Sequence, residues 1–117
     1  MRKDDLVRIR HMLDAAREAT EFAKNRNRAD LDSNRMLVLS IIKSIEILGE
    51  AASKVTREGR EAHSEIPWAD IVATRNRLIH VYFDIDLDLV WDSVTDDLPP
   101  LIAALETALV SGKEDNT

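Results

Sequence analysis

The chain has 117 residues, a formal charge of -6 and no cysteine, which fits one domain with a modest core, helped by a second subunit, and excludes disulfides, thiolate catalysis and thiolate metal sites. The acidic total argues against a broad nucleic-acid-binding surface, so no DNA partner is expected, yet it leaves room for a small basic pocket. No apolar run reaches bilayer length and the amino terminus lacks signal-peptide features, which predicts a cytoplasmic protein with no membrane partner.

Only three glycines and three prolines interrupt the chain, and Ala, Leu, Arg, Glu and Lys dominate it, which favours an all-α fold. From about Asp4 to Lys24, Leu6, Ile9, Leu13, Ala16, Thr20 and Ala23 recur at threes and fours and predict an amphipathic helix. Residues 25–30 are polar and predict a turn, with Asp30 or Asp32 capping the next helix. That helix is expected to be the longest, about Asp32 to Glu58, and central, because Leu37 to Val55 form an apolar face wider than one neighbour needs. Gly49, Ala51 and Ala52 narrow it, which suits close helix approach. Glu50 beside them fits either a solvated helix face or a carboxylate that orients a buried arginine or histidine.

Residues 59–65 predict an interhelical break, and Pro67 the first turn of a helix anchored by Trp68. Residues 83–89 alternate apolar and acidic, but one strand has no partner, so a link entering a helix near Asp86 or Asp88 is expected. Pro99 and Pro100 should interrupt or kink that helix before it resumes from Leu101 to Val110. Residues 111–117 predict a frayed tail to a single domain spanning 1–117. Charge is polarised along the chain: Arg2 to Arg35 is rich in basic residues, whereas Asp84 to Asp97 carries six aspartates and no Lys or Arg.

The segment Thr74–Phe83 concentrates the chemistry. Arg75 shares a stripe with Ile71, Leu78 and Tyr82, so its guanidinium enters a packed seam and needs a carboxylate, a carbonyl or a phosphate. His80 lies five residues on, roughly 140° around a helix. The two side chains meet only at a helix end, after a bend or across a two-fold interface. A neutral histidine can exchange a proton with a ribose 2'-hydroxyl or leaving oxygen, and arginine can stabilise a phosphorane-like transition state. Tyr82 can contact a phosphate or stack on a base. Each residue alone also fits an ordinary packing or ion-pair role. The three scattered histidines show no metal-ligand spacing, so neither a metal nor another cofactor is expected.

The string Arg75-Asn76-Arg77-Leu78-Ile79-His80-Val81-Tyr82 resembles the R-x4-H-x-Y motif of the HepT-like HEPN family. Ile47-Leu48-Gly49-Glu50-Ala51-Ala52, Ile66-Pro67-Trp68, Val90-Trp91 and Asp97-Leu98-Pro99 are similar to the family pattern in order and spacing, so the resemblance covers nearly the whole chain. It implies an up-and-down bundle of four to five helices, homodimeric, with Arg and His of both subunits lining a cleft. It further implies a metal-independent endoribonuclease toxin of a toxin-antitoxin pair acting on RNA. Arg75 and His80 would be the catalytic pair, with Asn76 the polar residue beside it; Glu50 is a candidate support from its own position beside the small-residue patch. Tyr82 would be the tyrosine that a nucleotidyltransferase antitoxin of the MntA type modifies with AMP. The alternative is a non-catalytic subunit that binds nucleotide or a nucleotidyltransferase partner.

Overall fold

A computed structural model describes residues 2–79 and 84–115; His80, Tyr82 and their neighbours 81 and 83 lie outside the described residues. The described residues form helices and connecting turns with no strand: α1 Lys3–Ala23, α2 Asp30–Ser33, α3 Arg35–Ser53, α4 Arg57–Ala62, α5 Trp68–Ile79, α6 Leu87–Asp92, a π-helical turn Ser93–Asp97, and α7 Leu98–Asp115. The all-α expectation holds.

The central helix begins later than the sequence suggests and ends earlier. Asn34, not Asp30 or Asp32, caps α3 by accepting the Leu37 amide at 3.0 Å, and the two aspartates sit in the separate short turn α2. All three are good capping residues, so composition does not choose between them. Helix α3 packs against α1, α5 and α6, while α7 packs against α1. Ile9, Met12 and Leu13 of α1, Ile41, Ile45 and Leu48 of α3, and Val90 and Leu105 beyond them are all buried. Cross-sections of 28 and 19 Å correspond to about two helix diameters each. The central position of α3 follows from its apolar face, which is broad enough to meet neighbours on more than one side.

Two further departures have physical causes. Residues 57–62 form α4 within the region read partly as a break, because Thr56 caps the Gly59 amide at 3.1 Å. Pro99 and Pro100 do not end the last helix. Their missing amides fall in its first turn, where intrahelical partners are not required, and the π turn before them widens the helix, with the Leu98 amide donating to the Ser93 carbonyl. Helix α7 also runs to Asp115, into the stretch expected to fray. The link before α6 follows expectation, since Asp86 caps it by accepting the Leu89 amide at 3.1 Å.

A buried carboxylate ties the two ends of the chain's first half together. Asp5 of α1 is 1% exposed and accepts the Thr56 amide at 2.9 Å and the Thr56 hydroxyl at 2.5 Å. A Cβ at Gly59 would lie 2.6 Å from its Oδ2, so only glycine leaves space for the carboxylate. Removing the acceptor strands a part-buried amide and hydroxyl. Asp5→Ala should therefore cost about 1–3 kcal/mol of folding stability, measured by urea unfolding; an unchanged midpoint would contradict this role.

Candidate active site

Helix α5 carries the R-x4-H motif as far as Ile79. Its start is defined by the Pro67 carbonyl, which accepts the Ile71 amide at 3.0 Å, and by Trp68, whose indole donates to the His63 carbonyl at 3.0 Å. Ile71 and Leu78 are buried, and Arg75 between them is half-buried, as their shared stripe requires.

Arg75 lies across α3 at Gly49. A Cβ on that glycine would meet Arg75 Cβ at 2.6 Å, Cγ at 2.7 Å and Nε at 3.3 Å. The expected close approach is thus real, and its occupant is the arginine stem. Arg75 Nε is buried and finds no hydrogen-bond partner among the described residues. A buried donor of a charged group left without an acceptor is unfavourable. Glu50 is next to Gly49 and exposed, and among the described residues no ion pair joins it to Arg75. The solvated-face reading of Glu50 therefore describes its side chain in this state.

Asn76 is exposed and separated from the Arg75 contact by one helix step. It lines a pocket of about 370 Å³ with Arg77 and Leu78 on the α5 side and Asp84, Ile85, Asp86 and Leu89 on the other. His80 and Tyr82 lie outside the described residues, so no geometry joins them to Arg75 here. Next to that far wall, Arg28 Nε donates to the exposed Asp88 at 2.8 Å and its Nη1 to Asp32 at 3.1 Å. This pair links the basic first third to the acidic segment.

A second depression of about 630 Å³ runs between α5 and the π turn with the start of α7. Asp70 of α5 and Asp96 and Asp97 of the π turn stand on it. Partial desolvation of the otherwise exposed side chain, then the nearby charges of Asp96, Asp92 and Asp70, push the Asp97 carboxyl above its ordinary value. The residue pattern shows six aspartates after the motif; it does not show that the π turn places two of them opposite Asp70. Among the described residues no group of three or more His, Asp or Glu side chains is placed to hold a metal, and no helix is long and apolar enough to cross a membrane.

Residues 12–108 match the family described as Ribonuclease HepT-like. Among curated relatives, the chain is 36% identical over 86% of its length to a "gamma-glutamylcyclotransferase and putative RNase" of Methanocaldococcus jannaschii, of which it spans 46%. It is 35% identical over 81% of its length to a "putative RNase" of the same organism, spanning 87% of that protein. It is 31% identical over 74% of its length to a "probable ribonuclease HepT" of Thermococcus cleftensis, spanning 78% of it. No solved structure matches the chain.

Two measurements check this geometry. Glycine in a helix interior is less favourable than alanine by about 1 kcal/mol, so a bland site would make Gly49→Ala stabilising. The contact with Arg75 reverses the sign, and Gly49→Ala should lower stability by about 1–3 kcal/mol in chemical denaturation. For Asp97, a raised folded-state value means that stability from this group is present below its unfolded value and lost as pH rises through the folded one. Asp97→Asn should therefore raise the melting temperature at neutral pH, by a margin that shrinks towards acid; a margin that grows in acid would contradict the stated cause.

The family match across residues 12–108, together with the relatives named above, establishes that this chain belongs to the HepT-like ribonuclease family, the HEPN group its motif resembles.

Proposed function

We propose that the protein is a metal-independent endoribonuclease toxin of a toxin-antitoxin pair. The observation that carries this reading is Arg75, whose stem is held against Gly49 while its buried Nε lacks an acceptor among the described residues. A phosphodiester supplies the missing acceptor: its oxygens match the planar donors of a guanidinium, and charge developing on a phosphorane strengthens the bond in the transition state.

In this reading His80, five residues beyond Arg75, removes the proton from the ribose 2'-hydroxyl. The 2'-oxygen attacks phosphorus, the P–O5' bond breaks, and the departing 5'-oxygen takes up a proton. Arg75 holds the non-bridging oxygens throughout. Asn76 offers a neutral polar contact from the exposed side of α5. Two chains in a homodimer would bring two such motifs to one cleft. A nucleotidyltransferase antitoxin that adds AMP to Tyr82 would place negative charge and bulk beside the motif and repel RNA.

Purified protein should cleave cellular RNA in the presence of chelator. Arg75→Ala and His80→Ala should each lower the rate by about a hundredfold or more, with circular dichroism spectra unchanged. Arg75→Lys should recover only part of the loss because an ammonium lacks the planar fork. RNA that survives the unsubstituted protein intact, or variants as active as their parent, would overturn the assignment.

A further inference from the structure

The depression between α5 and α7 shares Arg77 and Leu89 with the pocket that Asn76 lines, but it is built differently. Its floor is apolar, formed by buried Ile45 and Leu48 of α3, Ile71 of α5, and Leu98 and Leu101 of α7. Its rim carries Asp70 on one wall and Asp96 and Asp97 on the other, with Glu65 at an end. None of the three aspartates makes an ion pair among the described residues, whereas Glu65 is within reach of His63 at 3.2 Å. Arg77 is the one basic residue on the lining. The walls share little direct packing, since α5 meets α3 and α7 meets α1. The space between two helices that share little packing is a furrow of the kind that a further helix fills.

We propose that this furrow docks a cationic amphipathic helix of a different protein, its apolar face on Leu98, Leu101 and Ile71 and its Lys or Arg residues on Asp70, Asp96 and Asp97. Charge decides between the possible occupants. RNA is repelled by a rim of carboxylates. A second copy related by a two-fold axis through the furrow would set the same acidic rim against itself, because such an interface is self-complementary. A basic helix removes the like-charge repulsion and covers the apolar floor in one step. The π turn contributes geometrically: it is where the last helix carries Asp96 and Asp97 to the rim. This surface goes beyond the ribonuclease reading and does not require it.

The test uses the full chain and a fluorescein-labelled synthetic Leu/Lys amphipathic helix, with a Leu/Glu peptide of the same pattern as the charge-reversed probe. Anisotropy should show binding of the first and not of the second, weakened by salt. Combining Asp70→Asn, Asp96→Asn and Asp97→Asn should weaken binding by about tenfold or more. Neutralising exposed Asp14, Glu18 and Glu21 of α1 changes the net charge equally and should leave it nearly unchanged. Ala73→Trp, at an exposed lining position, should block the furrow sterically without touching its charge. Equal weakening by the two neutralised sets, or no effect of Ala73→Trp, would mean diffuse attraction and overturn the proposal. So would sedimentation showing that a second copy fills the furrow, or an RNA oligonucleotide that displaces the peptide. RNA cleavage assayed on the same samples reports separately: peptide binding without cleavage leaves the docking surface standing and removes only the ribonuclease reading.

Discussion

The contact of Arg75 with Gly49 is the constraint on which the candidate site depends. Helices α3 and α5 approach closely there because one of them has no side chain, and the space goes to the arginine stem. The guanidinium is consequently held by its neighbours before any ligand arrives, which lowers the entropic cost of meeting an anion. The same arrangement leaves Nε buried and unsatisfied among the described residues. A stable fold tolerates such a group when function or a partner supplies the acceptor, and membership of a ribonuclease family makes a phosphodiester the chemically apt one.

Electrostatics divides the remaining surface. Two basic residues of the first third meet acidic partners: Arg28 reaches Asp88 and Asp32, and Arg17 approaches Glu106 at 3.6 Å. These exposed pairs contribute little stability individually. Arg28 meets Asp88 in the first turn of α6, next to the pocket that Asn76 and Arg77 line. Among the described residues the carboxylates of the π turn make no ion pair, and they line an adjoining furrow that shares Arg77 and Leu89 with that pocket.

Much of the fold was readable because its signals are local. Apolar spacing reveals α1 and the core-facing side of α3, Asp86 reveals the start of α6, and the placement of Arg75 between Ile71 and Leu78 follows from helix geometry alone. The misreadings occur where distant or competing contacts decide. Asn34 competes with two equally good caps, and Thr56 organises α4 through Asp5, 51 residues away. The proline pair signals an interruption or kink, and the α pattern does change there, but through a π turn that the sequence does not reveal. For the site, the motif singles out Arg75, while Glu50 remains on a solvated face. His80 and Tyr82 rest on the sequence pattern, as both lie outside the described residues.

The central claim is that the preplaced Arg75 guanidinium receives an RNA phosphate. The most direct measurement is the ¹⁵Nε–¹Hε resonance of Arg75 during titration with a 2'-O-methyl oligoribonucleotide, which presents the phosphates but lacks the attacking hydroxyl. Saturable movement of that resonance, with slowed exchange of its proton with water, is the predicted result. A resonance that stays fixed while the same protein binds and cleaves unmodified RNA would contradict the account.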